Sequence, residues 1–288
     1  MTGVSAKQIT LALDLRAARL AAGFRTYKEA AAAAHLTTSA LWFIETVKNR
    51  AKPTTVLALT AVYGCEPEPA RRLVALAEEI SKEKRDAGYI AAAPKEFADY
   101  LRLESESSEI SSYEAEVIPG LLQTREYQRA LLAAGLEPPV AGVVERLVEL
   151  RAERQRAMLE SGRRITFVIN EAALHRMVGG REVLLAQLCR LLELWEHPAL
   201  EIRVLPFGIG AHPGLGVYCT LLQFDQHLGA EGEPYKVAFL EMNRANDLVT
   251  DPDLTLKYQR TFERVADLSS NAEESRRLIA TVKERLAS

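Results

Sequence analysis

Between Leu11 and Pro53 the chain places three short helix signals close together, each with its own start and stop, which leaves room only for a compact helical module. Leu11 to Gly23 repeats apolar residues at helical spacing and ends on a glycine suited to a left-handed C-terminal position. Thr26 with Glu29 three residues on reads as a capping box for a second helix, Tyr27 to about Ala34. His35-Leu36 makes the turn, and Thr37, Thr38 or Ser39 caps a third helix from Ala40 to Thr46. A fourth runs from Pro53, where a missing N–H costs nothing, to about Tyr63, closed by Gly64.

Arg19, the Ala21-Ala22-Gly23-Phe24 corner, Glu29-Ala30-Ala31, and Leu41 with Ile44-Glu45-Thr46 give residues 11–63 the look of a known module. This stretch resembles an XRE-type (Cro/repressor-like) helix-turn-helix. The resemblance implies that the third helix enters the major groove of double-stranded DNA and meets base edges through its first residues. The base-facing positions are then Thr38, Ser39, Ala40, Trp42 and Phe43.

Those positions are unusual. Arg, Lys, Asn and Gln read base edges best, at roughly 1–3 kcal/mol of discrimination per bidentate pair. None of the four occurs between Glu29 and Thr46. Thr and Ser contacts, and an aromatic against a thymine methyl, remain. Ala32, Ala33, Trp42 and Phe43 together suggest an apolar surface, of the kind that marks a protein or ligand contact. The alternative is that Trp42 or Phe43 packs inward.

Charge favours a polyanionic partner. Residues 1–60 hold eight Lys and Arg against three carboxylates, a formal +5, while the whole chain is −3 and residues 61–288 therefore carry −8. Lys28, Lys48, Arg50 and Lys52 are expected on the DNA backbone, where contacts give affinity but little sequence choice. A solvated basic loop is the plainer reading.

The length of 288 residues suits two domains, and the composition is ordinary for a globular protein. Cys65, Cys189 and Cys219 are too scattered for a disulfide framework or a zinc site. No apolar run approaches a membrane span and no leader pattern appears, so a cytoplasmic protein without membrane contact is expected. Pro67 and Pro69 interrupt the chain before a connecting helix, Ala70 to Ala87. Gly88 and Ala91 to Pro94 mark the domain boundary, giving an all-α head over 1–88 and a mixed α+β domain over 89–288. The fold expected is mostly α with a small β-sheet. In the second domain helices are expected at about 97–109, from Thr124, at 140–160, 171–177, 180–196, 252–267 and 271–286, the last capped by Ser270 or Asn271. Strands are expected at Ile165–Ile169, Leu200–Leu205, Val217–Phe224 and Val237–Glu241.

The second domain also carries Glu104, Ser112-Tyr113-Glu114, Val117-Ile-Pro-Gly-Leu-Leu-Gln-Thr124, Tyr127, Glu149-Leu-Arg151, Arg154-Gln155, Glu171-Ala-Ala-Leu174, Gly179-Gly180, Gln187-Leu188, Val204-Leu-Pro-Phe207 and Ala211-His-Pro-Gly-Leu215, in that order. Over about residues 100–286 it resembles the C-terminal domain of actinobacterial WhiJ-like regulators, often described as antitoxin-like. The resemblance implies a transcriptional regulator, commonly linked to a small partner protein and to development or secondary metabolism. It implies no settled ligand or catalytic residue.

Other constellations are weaker. Glu171 and His175 share a helix face at i, i+4, but no further His stands at ligand spacing, so an ordinary surface pair is expected and no metal. His212, in the loop Gly208-Ile-Gly-Ala-His-Pro-Gly214, is a candidate acid or base, or part of a turn that only orders the sheet. Tyr113, Tyr218, Tyr235 and Trp195 read as packing residues that can also line a pocket, and Glu104, Glu106 and Glu109 as a solvated acidic run. No cofactor fingerprint and no catalytic set is present. The leading expectation is a DNA-binding regulator, dimeric because two-fold operators need paired heads, whose second domain binds a small partner protein or a hydrophobic metabolite. Trp42, Tyr113 and His212 are the ligand-binding candidates. The rivals are a scaffold that has lost DNA binding and serves as a small-molecule binder, or cofactor-independent cyclase or isomerase, in natural-product biosynthesis, and a purely protein-binding adaptor.

Overall fold

The computed structural model describes residues 4–82, 95–135, 142–225, 234–240 and 247–288. The fold is mostly α with a small mixed six-stranded sheet. The chain divides into two compact units, one of Met1–Ser107, Gln223–Val237 and Leu248–Leu254, the other of Ser108–Leu222, Ala238–Asp247 and Thr255–Ser288. The boundary expected at 88/89, and the last turn expected of the connecting helix, lie outside the described residues.

The first unit opens on α1 (Ala6–Ala21), α2 (Tyr27–Ala33), α3 (Thr38–Glu45), α4 (Pro53–Val62) and α5 (Pro67–Lys82). α1 starts a turn earlier than expected, because Ser5 and Gln8 form a second capping box, a Ser-x-x-Gln pattern legible in the sequence. Thr26 and Glu29 cap α2 reciprocally, and Thr37 is the residue that caps α3, its Oγ1 accepting from Ala40 N at 3.1 Å. Gly23 takes φ +87° and lets Phe24 N reach back to Arg19 O, closing α1. Pro67 and Pro69 do not interrupt the chain ahead of the connecting helix but begin that helix, three residues before the expected start at Ala70. Both sit in the first turn of α5, where backbone N–H groups have no helical partner to lose. Leu15, Ala30, Leu41, Val56, Leu59 and Ala77 are buried in one common core.

In the same unit lies α6 (Lys95–Glu106), shorter than expected. Glu104 is not solvated, whereas Glu106 stays exposed as expected. Glu104 is buried and accepts from Tyr100 Oη at 2.5 Å, while Glu106 accepts from Ala6 N at 2.7 Å. Glu109 opens a strand instead, β1 (Glu109–Glu114), which its Glu and Ser content did not announce.

The second unit holds α7 (Arg125–Gly135), α8 (Val143–Glu160), β2 (Arg164–Asn170), α9 (Glu171–His175), α10 (Arg181–Leu194) and β3 (Leu200–Leu205). Along the chain β4 (Cys219–Phe224), β5 (Tyr235–Leu240) and β6 (Asp247–Val249) follow, then α11 (Pro252–Leu268) and α12 (Ala272–Ala287), with Gln223–Val237 and Leu248–Leu254 belonging to the first unit. Strand order is β3-β2-β1-β4-β5-β6. β1 runs parallel to β2, Tyr113 opposite Val168, and β2 parallel to β3, Val168 opposite Arg203. Such pairs need helical crossovers, supplied by α7–α8 and α9–α10. Glu241, the expected end of the β5 strand, lies outside the described residues.

The Pro-Gly-Leu-Leu-Gln-Thr segment is a structural clamp. Gln187, fully buried on α10, donates to Leu122 O at 2.8 Å and accepts from Thr124 N at 2.7 Å. Gln155 donates to Gln123 O at 2.8 Å, and Gln123 to Ile118 O at 2.6 Å. These amides satisfy turn backbone that no helix or strand ladder reaches.

Candidate nucleic-acid interface

The orientation of α3 decides what the head can touch. Leu41, Ile44 and Glu45 face inward, whereas Thr38, Ser39 and Trp42 are exposed. Residues three and four apart share a helix face, so these three form one outward strip. Trp42 is 37% exposed, its ring 5.2 Å from that of half-buried Phe43. Ala32 and Ala33 are exposed as well. The outward strip of α3 is therefore aromatic and hydroxyl-bearing, with no amide or guanidinium on it.

A buried ion pair fixes that orientation. Arg19 on α1 holds Glu45 on α3 with Nε at 2.9 and 3.2 Å and Nη2 at 3.0 Å, and its Nη1 donates to Phe24 O at 2.8 Å. The two side chains are 4% and 0% exposed, so this pair works in a low dielectric. Burial pulls the Arg19 pKa down, and the Glu45 carboxylate more than offsets it, leaving a net rise. The guanidinium also lies 4.7 Å from the Tyr27 ring centroid, tying α2 to the same point. The sequence marked Arg19 and Glu45 as motif residues but not as partners, because they are distant in the chain.

The cations around the strip differ in what they do. Arg25, Lys28, Lys48 and Lys52 are exposed. Lys48 Nζ stands 4.8 Å above the Trp42 ring, a cation–π contact at the centre of the outward strip. Arg50 is half-buried and donates from Nη1 to Ile80 O at 3.0 Å, capping a carbonyl of α5. Lys7 pairs with Glu79 at 2.8 Å and Arg16 with Asp251 at 2.6 Å. Part of the +5 read from residues 1–60 is thus met within the first unit, while Arg25, Lys28, Lys48 and Lys52 remain solvent-exposed.

Tyr113 and His212 fall together in the second unit, with ring centroids 6.1 Å apart and edge to face; Trp42 belongs to the first unit. Glu171 and His175 stand as an i, i+4 pair at 3.7 Å, and Glu171 also accepts from Phe207 N at 2.7 Å. Among the described residues no cluster of three His, Cys, Asp or Glu could hold a metal ion, and no helix is long and apolar enough to cross a membrane.

Against known families, residues 10–73 match a helix-turn-helix domain. Residues 97–281, more than half of the chain, match a domain of unknown function, DUF5753. The chain belongs to the DUF5753 family. No curated protein and no solved structure shows significant similarity to it. The two matches cover successive stretches of the chain and assign neither a ligand nor a reaction to the DUF5753 domain.

Proposed function

We propose that this DUF5753 protein is an XRE-like transcriptional regulator that grips DNA mainly through the backbone, and whose C-terminal domain senses a small ligand or a partner protein. One observation carries the reading: α3 exposes the strip Thr38, Ser39 and Trp42, Lys48 stands over the Trp42 ring, and Lys28 on α2 and Lys52 before α4 are exposed cations of the same head. Lysines on phosphates give affinity and orientation, while hydroxyls and an aromatic edge give modest base choice through polar contacts and thymine methyls. Phe43 supports Trp42 from below the strip. Arg50, engaged with Ile80 O, is left out of the contact set. A homodimer would present two heads to a two-fold operator. The order of motifs along residues 100–286 supports the narrower kinship with WhiJ-like, antitoxin-like regulators of development or secondary metabolism, and with it a cytoplasmic site of action.

The test is anisotropy of the full chain on duplex DNA from its own upstream region across a salt series. Affinity should fall steeply with salt, by roughly 0.9 log units per tenfold for each phosphate neutralised. Changing Lys28, Lys48 and Lys52 to Gln should flatten the slope by about 2–3. Absent binding at about 50 mM salt, or a slope that the triple change leaves alone, would overturn the proposal. It would then favour the second reading, a small-molecule binder or cofactor-independent cyclase or isomerase on the same scaffold. That reading draws on the apolar α3 strip and on the unpartnered Tyr113 and His212.

A further inference from the structure

At the carboxyl ends of the three parallel strands β1, β2 and β3 the second unit opens a cleft of about 420 Å³. Tyr113 near the end of β1, Asn170 at the end of β2 and Phe207 just beyond β3 form its floor and side. His212, Leu215 and Tyr218, from the glycine-rich connection between β3 and β4, form the opposite wall. Parallel strands converge their loops at this end, which is where open α/β sheets place ligands, and the volume falls in the usual range for small-molecule sites.

We infer that this cleft binds a flat, uncharged small molecule with an apolar body and one hydrogen-bonding group, and that Tyr113 and His212 receive that group. The inference rests on the sensor reading of the C-terminal domain and is independent of DNA binding.

Three observations carry it. The first is unsatisfied polarity. Tyr113 is only 1% exposed, yet its hydroxyl has no hydrogen-bond partner, and His212 Nδ1 is likewise buried and unpartnered. Burial pushes the Tyr113 phenol pKa up and outweighs the opposing pull of the Asn170 side chain, so the hydroxyl stays a neutral donor. Buried polar atoms are nearly always paired, and two orphans in one cleft mark a place where a ligand supplies the partner. The second is exposed apolar surface. Phe207 and Leu215 are 58% and 64% exposed at the same cleft, and Phe207 is held in place by stacking on His175 and by the Glu171 carboxylate. The third is charge. Among the described residues lining the cleft, the charged carboxylate is Glu116, itself paired with Arg176, and no Lys or Arg stands there to receive a phosphate or carboxylate.

The wall is built to tight tolerance. A Cβ on Gly214 would stand 2.7 Å from Tyr113 Cε1 and 2.9 Å from Val265 Cγ2, so the loop lies this close to the tyrosine ring only because a glycine is there. Gly210 and Gly216, at φ +67° and +73°, bend the loop on either side.

Equilibrium dialysis of the full chain against 2-naphthol, naphthalene and 2-naphthyl phosphate tests the inference. One saturable site for 2-naphthol is expected, with the hydrocarbon and the phosphate ester each at least tenfold weaker. Tyr113→Phe keeps the ring, removes the hydroxyl and should bring 2-naphthol down to the affinity of naphthalene. Leu215→Ser, at an exposed position where folding is not at stake, should weaken both neutral probes at least threefold. Leu57→Ser, at an equally exposed apolar residue of α4, should change nothing. The inference is overturned if none of the three probes saturates, if the phosphate ester binds tightest, or if neither cleft substitution moves 2-naphthol. Loss of probe binding in a protein that still binds its upstream DNA sinks this inference alone. Probe binding without DNA binding sinks only the regulator reading.

Discussion

The outward strip of α3 and the cleft at the ends of β1, β2 and β3 invert the ordinary partition of side chains in opposite ways. On the head an exposed surface is aromatic on α3 and alanine-bearing on α2, with Trp42, Ala32 and Ala33 facing solvent. In the cleft buried polar atoms stay unpaired, on Tyr113 and His212. Solvent-facing aromatics and unsatisfied buried polar atoms both leave free energy unclaimed within the chain. Each is a place where a partner from outside can supply what the fold does not. For the head the missing element is a surface to cover or a groove to enter, and for the cleft it is a hydrogen-bonding ligand.

The comparison can be broken most forcefully at Arg19. Arg19→Ala leaves the fully buried Glu45 carboxylate without its partner, so the head should lose about 3–5 kcal/mol. Urea denaturation followed by far-UV circular dichroism measures this. A loss under about 1 kcal/mol would mean that the pair does not hold α1 against α3. A smaller effect is expected on the other side. Gly214→Ala forces a methyl into the Tyr113 ring and Val265, for about 1–3 kcal/mol by thermal unfolding, together with weaker 2-naphthol binding. An unchanged melting temperature would show the loop free to retreat, and the cleft less rigid than described.

The smallest effect concerns Asp14 on α1. Burial raises its carboxyl pKa, Arg72 opposing weakly, and Oδ2 has no hydrogen-bond partner. Because the folded pKa lies above the unfolded one, the protonated form favours folding. That stability is complete below the unfolded pKa and is lost as pH rises through the folded one. Asp14→Asn should therefore stabilise the head at pH 7, by less than about 1 kcal/mol after allowing for its partial exposure, with the gain vanishing on acidification. A gain that persists at low pH would point to hydrogen bonding by the amide rather than to relief of charge burial.

Local chemistry was the readable part of this chain. The capping pair Thr26 and Glu29, the left-handed glycine at position 23 and the strand run Ile165 to Ile169 each announce themselves within a few residues. They do so because hydrogen bonds between near neighbours and side-chain periodicity act over one or two turns. Pro67 and Pro69 misled for the same reason. Proline is both a helix breaker and a favoured first-turn residue, and the choice depended on how the rest of α5 packed. Strand β1 was missed because its Ser and Glu content is poor strand material. It exists through its register with β2, which lies on the far side of two helices.

The amino-acid order alone determined a helical head, a mixed C-terminal domain, and which residue types stand on the third helix. Only the tertiary structure decided that Trp42 faces outward, that Arg50 turns inward to Ile80, that Arg19 and Glu45 meet, and that Tyr113 and His212 meet in one cleft. The physical reason is range. Caps, turns and periodic patterns are set by neighbours along the chain, whereas exposure and the pairing of buried polar groups are set by segments that meet only after the chain has folded.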